Sequence, residues 1–410
     1  MSDRLRKIDS NGTASTRIYE LIEPTFSIMT HRTALIIWFE TPPKVSKGAF
    51  NYVSKTWGKK VYYICNFDYP EYRKKVNWND GDFGDAEVII LQGSENSDEI
   101  IRGMFENNPG AIHLISGFNN NIEKRIRKYA ISGKYNIGLF SERPVEIGNW
   151  FTKMARLVMF QFKYRFYYYR YRRVVKVFLP LGELGIKTFT KYGWSKEIMY
   201  PFMYNPESHE NTTQYSASEY SNRVRFLYVG RFYYITKGVD VLMEAAEKLH
   251  GDWVLDMVGG YGTKAEEVKT WIAKQEHVNF LGSWPSEEVS KRMQEYDVVV
   301  VPSRYDGWNL LVNEAINAGV GVIATNHAVS DEVVSSSGAG LVVPANNSKK
   351  FAEAMQLVID NPNIIPTWKK NALDFIPRIS PSTVGEYLID ILDHTFYNKK
   401  QKPKCPWLNK

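Results

Sequence analysis

Twelve short apolar runs, separated by stretches of helical periodicity, restrict this chain more than any other feature of its sequence. In the first half they fall at 34–39, 61–67, 87–91, 111–116, 136–140 and 174–181. In the second they fall at 224–229, 253–258, 278–281, 298–302, 321–325 and 340–343. Each is long enough for a strand and too short for a typical buried helix. Strands alternating with helices predict doubly wound α/β architecture built on parallel sheets. The run Val298-Val-Val-Val301 shows no polar alternation, as expected of a strand buried on both faces. The segment 207–222 is rich in Ser, Asn, Thr and Glu and reads as a linker or exposed loop. The expected organisation is a Rossmann-like lobe over 1–207, a linker over 208–222, a second Rossmann-like lobe over 223–380, and a last helix and basic tail over 381–410. A cleft should separate the lobes. Residues 1–30 receive no element.

With 410 residues and 44% hydrophobic content, the chain is large enough for two cores and is not disordered. Cys65 and Cys405 make no disulfide framework, which suits a reducing cytoplasm. The first thirty residues are polar and do not read as a secretory signal, and no apolar run spans a bilayer. A soluble or peripherally attached cytoplasmic protein is expected. The net charge of +7 favours an anionic partner, although simple solubility explains it equally well.

Chemistry concentrates after the run at 298–302. There Asp306-Gly-Trp-Asn-Leu-Leu-Val-Asn-Glu314 places two carboxylates eight positions apart around a strand-to-helix turn. In an open parallel sheet ligands collect at such turns, at the carboxyl ends of the strands. Carboxylates accept hydrogen bonds from hydroxyls, and Gly307 lets backbone N–H groups approach a phosphate. The backbone N–H groups of Asn309 and Leu310, at the start of the helix, are candidates for that contact. A nucleotide sugar, with hydroxyls at both ends and phosphate between, suits the pattern.

This segment resembles the signature of the fourth family of retaining glycosyltransferases, which have the GT-B fold and belong to the glycosyl transferases group 1. That family carries two glutamates; here Asp306 stands in place of the first. Val229-Gly230-Arg231, Lys237-Gly238, Val258-Gly-Gly-Tyr-Gly262, Val278-Asn-Phe-Leu-Gly282 and Val301-Pro-Ser303 follow the family order over 224–343. The resemblance implies that Gly230, Arg231 and Lys237 hold the diphosphate and steady it as it leaves. It assigns Glu314 to the ribose hydroxyls and Asp306 to the transferred sugar, with a reach roughly 1.5 Å shorter than glutamate. Trp308 would either line the sugar pocket or pack between domains. In the first lobe Gly48 matches the family's donor-facing glycine loop in part, without the usual paired glycines. His113 is either the histidine that faces the sugar or a core histidine. Glu142 either orients an acceptor hydroxyl or pairs with Arg143. The last helix is expected to cross back to the first lobe.

Arg231 and Lys237 also bear on metals. A transferase without such cations would use a divalent ion on an Asp-x-Asp pair. Asp80-Gly81-Asp82 is such a pair, but it precedes its strand and should lie at the wrong end. No metal or other cofactor is expected. The stretch that opens at Phe151 and closes at Phe178 has eight Lys or Arg residues, eight Tyr or Phe residues between them, and no acid. It suits an anionic membrane surface and a lipid-diphosphate acceptor, or else a helix whose aromatics pack internally. It would also suit single-stranded RNA by stacking, but no nucleic-acid motif accompanies it. The resemblance therefore implies a retaining, metal-independent transfer from a UDP- or GDP-linked sugar to a glycan or lipid-linked acceptor, in bacterial surface polysaccharide synthesis. The rival is a nucleotide-sugar-binding subunit without turnover. An epimerase would need acid–base pairs that the sequence does not place.

Overall fold

Two six-stranded parallel sheets form the framework of the computed structural model, which describes residues 32–70, 83–145, 150–206, 223–399 and 401–408. The first contains β1 (Leu35–Phe39), β2 (Val61–Cys65), β3 (Glu87–Ile90), β4 (Ile112–Ser116), β5 (Asn136–Ser141) and β6 (Val175–Pro180). Its order is β3-β2-β1-β4-β5-β6. The second contains β7 (Val224–Gly230), β8 (Trp253–Gly259), β9 (Val278–Phe280), β10 (Val298–Val301), β11 (Gly321–Thr325) and β12 (Gly340–Val343). Its order is β12-β11-β10-β7-β8-β9, the same winding as the first. Strand order reverses beside β1 and β4 in one sheet and beside β7 and β10 in the other. These switch points open crevices at the carboxyl ends of the strands, where ligands bind in such sheets.

Residue chemistry explains the elements. The central strands β1 and β10 are buried along their whole length, as apolar parallel strands covered by helices should be. Edge strand β3 is largely accessible and starts with a glutamate. Helix starts carry side-chain caps: Asn120 accepts from Glu123, Asn347 from Lys350, and Ser380 from Thr383, with Pro381 at the first helical position.

The residues from Thr33 onward form one compact unit. One apolar cluster runs from Phe50 and Phe140 in the first lobe, through Phe202 and Met203, to Trp308 and Val312 in the second. The helix Pro381–Tyr397 joins this cluster through Leu388 and Leu392 and packs on the helix Lys47–Thr56 of the first lobe. Tyr52 donates to Glu386 at 2.6 Å across that contact. The last helix thus crosses back, as the resemblance implies.

The basic tail could be loose or anchored by Trp407, and it is anchored: Trp407 is fully buried. Its indole N–H donates to Glu332 Oε1 at 2.8 Å. Arg378 holds the carbonyls of Pro406 and Leu408, and Lys402 donates to the Glu197 carbonyl. The other oxygen of Glu332 accepts the backbone N–H of Glu183 at 2.7 Å. One second-lobe carboxylate therefore ties together the tail and the first lobe, and burial pushes its pKa up to about 7. The linker region 207–222 and Asp80-Gly81-Asp82 lie outside the described residues, as do residues 1–30.

Candidate functional site

The second-lobe site is assembled at the switch point. β7 ends at Gly230 and hands the chain to Arg231; a short helix, Tyr234–Lys237, follows. β10 ends at Val301, and its loop leads through Asp306 to the helix Leu310–Asn317. The two loops are stitched by backbone: the N–H groups of Arg304 and Tyr305 both donate to the Thr236 carbonyl, at 2.8 and 3.1 Å. Arg304 also pairs with Asp240 on the next helix.

Gly238 makes this approach possible. It adopts φ +63°, and a Cβ there would lie 2.2 Å from the Pro302 carbonyl oxygen. Left-handed backbone is unfavourable for a side chain, and the clash is with backbone that cannot yield cheaply. Gly238→Ala is expected to lower unfolding stability by about 3 kcal/mol. A urea titration measures it; a change within experimental scatter would show that the two loops are not held at this distance.

The approach brings Lys237 Nζ to 2.5 Å from Asp306 Oδ1. Asp306 Oδ2 accepts from Asn309 Nδ2 at 2.9 Å, and the Asp306 N–H donates to the His327 carbonyl. The side chains of Lys237 and Asp306 are 21% and 12% exposed, so the pair is partly withdrawn from water. Arg231 is exposed, with its guanidinium over the Tyr233 ring at 5.1 Å. Buried Tyr228 donates to the Arg231 carbonyl at 2.9 Å. Its phenol is raised by burial, raised further by the Asp306 carboxylate and lowered by Arg231, so both charges converge on this ring. Glu314 stands one turn into its helix with no hydrogen bond to any described side chain. Burial alone raises its pKa to about 7, with no contribution from Lys237 or Arg231. The structure thus gathers Gly230, Arg231, Lys237, Asp306, Gly307 and Asn309, while Glu314 stands on the helix that follows them.

The first lobe meets this cluster through Glu142, which follows β5. A Cβ on Gly307 would lie 2.2 Å from the Glu142 carboxyl carbon. Tyr204 donates to Glu142 Oε1 at 2.8 Å. The Glu142 carboxyl is raised by crowding of protein around it and, more weakly, by Asp306 opposite. Solvent still reaches this side chain from the open cleft. Arg143 does not take Glu142 as its hydrogen-bond partner. It lies over the Tyr305 ring at 4.4 Å, and Tyr305 Oη donates to the Arg143 carbonyl at 2.7 Å. A cavity of about 220 Å³ opens here at the first sheet's switch point, lined by Glu40, Pro43, Lys44, Ser116, Glu142 and Tyr204. A wider depression of about 660 Å³, lined by Phe67, Tyr69, Ile90 and Gln92, lies further out along that sheet. Among the described residues Asp68 is its one charged lining residue.

Because only Gly307 lets the Glu142 carboxylate lie this close, Gly307→Ala should displace that flexible carboxylate and little else. The expected result is an unchanged melting temperature, nucleotide binding within about twofold, and transfer to acceptor reduced roughly tenfold or more. Equal losses of binding and transfer would separate Glu142 from the acceptor side.

Two alternatives left open by the sequence are decided, for His113 and Trp308, and two expectations are corrected, for Gly48 and the Asn309 N–H. His113 is fully buried near the start of β4, sandwiched with Phe105 at 4.1 Å and Trp38 at 6.1 Å. Trp38 Nε1 donates to its Nδ1, and burial depresses its pKa to about 3, so it is a neutral core histidine. Gly48 is buried in its helix against Pro206 and Asn205 and is not among the residues lining the cavity of about 220 Å³. Trp308 is buried in the shared core, with its indole donating to Asn313 at 2.8 Å. The Asn309 N–H already donates to the Ala328 carbonyl, and the Asn309 side chain caps Leu311. Of the two proposed phosphate donors, this leaves the Leu310 N–H, at the open first turn. Sequence reasoning missed Tyr204 and Tyr228, since nothing in their local sequence distinguishes them from packing tyrosines.

Solved structures with this two-lobe arrangement include Anabaena HepE in complex with UDP and glucose, with a TM-score of 0.63 at 15% identity. It covers 88% of this chain and 99% of that one. The lipopolysaccharide glycosyltransferase WaaG aligns with a TM-score of 0.56 at 16% identity, over 87% and 98% of the two chains. The fold is GT-B. Residues 211–375, most of the second lobe, match the family described as Glycosyl transferases group 1. An uncharacterised glycosyltransferase of Methanocaldococcus jannaschii is 28% identical over 38% of this chain and 43% of its own length. The alpha-D-kanosaminyltransferase of Streptomyces kanamyceticus is 25% identical over 40% and 44%. The chain thus spans less than half the length of these curated relatives.

Proposed function

We propose that the chain is a retaining, metal-independent glycosyltransferase that moves a sugar from a UDP- or GDP-linked donor to a glycan or lipid-linked acceptor, in the synthesis of a bacterial surface polysaccharide. The observation that carries this reading is the meeting of Lys237, Asp306 and Arg231 at the second lobe's switch point, directly opposite Glu142 of the first. The matched family supports the donor lobe, and the UDP complex of a structural neighbour supports the choice of nucleotide.

In this reading Arg231 and Lys237 hold the diphosphate, and the Leu310 N–H adds a backbone donor. Glu314 accepts the ribose hydroxyls. The Lys237 ammonium is then shared between Asp306 and the distal phosphate, which frees Asp306 toward the sugar. The bond from the anomeric carbon to the phosphate oxygen breaks, and its electron pair leaves with the diphosphate. The acceptor oxygen attacks from the same face, and its proton passes to the departing phosphate oxygen. Glu142, held by Tyr204, accepts a hydrogen bond from the acceptor hydroxyl and aims it. The two cations compensate the developing charge without a metal. No helix among the described residues is long and apolar enough to cross a membrane.

One observation favours the rival reading of a binding subunit. Both oxygens of Asp306 are already engaged, by Lys237 and Asn309. A thermal-shift screen across UDP- and GDP-sugars, followed by release of labelled sugar from the best donor, tests the proposal and separates the two. Stabilisation by one base with transfer or slow hydrolysis supports the enzyme. Stabilisation without any turnover supports the binding subunit, and no stabilisation by either base overturns both.

A further inference from the structure

The helix Trp150–Tyr171 joins β5 to β6, and the transfer reading leaves most of it unused. It spans 22 residues, or roughly 33 Å. Because it follows the carboxyl end of β5, it begins on the cleft side of the first lobe, a few residues after Glu142. From Phe160 onward it is anchored: Phe160, Tyr167 and Tyr171 are buried, and Phe118 stacks on Tyr167 at 5.4 Å. Tyr164 stacks on Tyr192 at 5.2 Å.

The opposite face is apolar and uncovered. Met154, Val158, Phe162 and Phe166 are 48, 55, 76 and 55% exposed, and Tyr169 continues the line. Their spacings of three and four residues form a single helical stripe. Over 154–159 the described side chains are exposed or half-exposed on every side, so the cleft-side turns stand proud of the lobe. Lys163, Arg165, Arg170, Arg172 and Arg173 flank the stripe, and no acid interrupts it from Phe151 to Phe178. Arg170 lies over the Phe166 ring at 4.3 Å and Arg172 over Tyr169 at 5.2 Å, which keeps cations at the level of the exposed aromatics.

We infer that this helix lies in the interface of an anionic bilayer, with Met154, Val158, Phe162 and Phe166 among the acyl chains and the flanking Lys and Arg residues on the headgroups. Apolar burial and headgroup attraction act together in such helices. A second copy of this chain fits the face less well, because isologous pairing would set the same cations against each other with no acid to match them. The placement brings the mouth of the cleft to the membrane surface and makes the acceptor a lipid-linked glycan. That last step rests on the transfer reading; the binding itself does not.

Co-sedimentation of the full chain with phosphatidylcholine vesicles, with and without phosphatidylglycerol, tests the inference. Wild type should partition onto the anionic vesicles and only weakly onto the neutral ones. Val158→Ser with Phe162→Ser should reduce partitioning by about tenfold or more at an unchanged melting temperature. Lys163→Gln with Arg165→Gln should remove most of the preference for anionic lipid. The nucleotide thermal shift, run on the same preparations, should be unaffected by either pair, so a failed donor reading leaves the vesicle result intact. Wild type that stays in the supernatant overturns the inference. So does a concentration-dependent dimer that the Val158/Phe162 pair abolishes, or partitioning that neither pair changes.

Discussion

Lys237→Ala is expected to lower turnover by two to three orders of magnitude, roughly the cost of deleting one preorganised donor to charge that develops in the transition state. Two effects combine. The departing diphosphate loses a cation, and Asp306 loses the ammonium 2.5 Å from its Oδ1. The carboxylate then keeps only Asn309 among its described side-chain partners, at a position 12% exposed to water. Removing one partner of a pair so withdrawn from water costs more than forming it gained. Asp306→Asn separates the contributions, because it leaves the cation and removes the competing charge. Steady-state release of labelled sugar, measured beside a melting curve, is the readout. A loss below tenfold with a normal melting temperature would take Lys237 off the leaving group.

Nucleotide affinity should rise with pH up to about 7 and then level off, falling by up to tenfold for each unit below. The argument rests on Glu314, whose folded pKa burial raises from 4.5 to about 7. Its ionised form accepts hydrogen bonds through both oxygens; its neutral form gives up part of that capacity. The linkage to stability has the opposite sense. A carboxyl whose pKa is raised on folding binds more protons folded than unfolded between its two values. Its contribution to stability is therefore greatest below about pH 4.5 and diminishes as pH rises to about 7. Glu314→Gln should flatten the affinity profile, and Glu314→Ala should weaken binding by about ten- to a hundredfold. Calorimetric titration of the nucleotide, rather than turnover, isolates this group from Glu142 on the acceptor side. A profile unchanged in Glu314→Gln would show that Glu314 does not face the ligand.

Much of the fold was legible because buried parallel strands leave a strong trace. Val298–Val301 cannot be read as anything half-exposed, and the glycine-bearing turns after β7 and β8 mark strand ends. The site was legible only as separate pieces. Lys237 and Asp306 are 69 positions apart, and what joins them is the Gly238–Pro302 contact, a tertiary distance without a local signal. His113 illustrates the converse. A histidine in an apolar strand reads the same whether it faces a ligand or a stack of rings, and only the packing of Phe105 and Trp38 decides. Trp308 and Trp407 show the same limit: the sequence left one between pocket and core and the other between anchor and loose end, and tertiary packing buries both.

The bond from Glu332 to Glu183 and the seat it gives Trp407 are one of several fastenings between the halves, beside the Tyr305–Arg143 contact and the shared apolar cluster. A swing of one half against the other would have to slide or break these together, so adjustments that admit a donor fall more cheaply on the loops around the cleft than on the whole lobes.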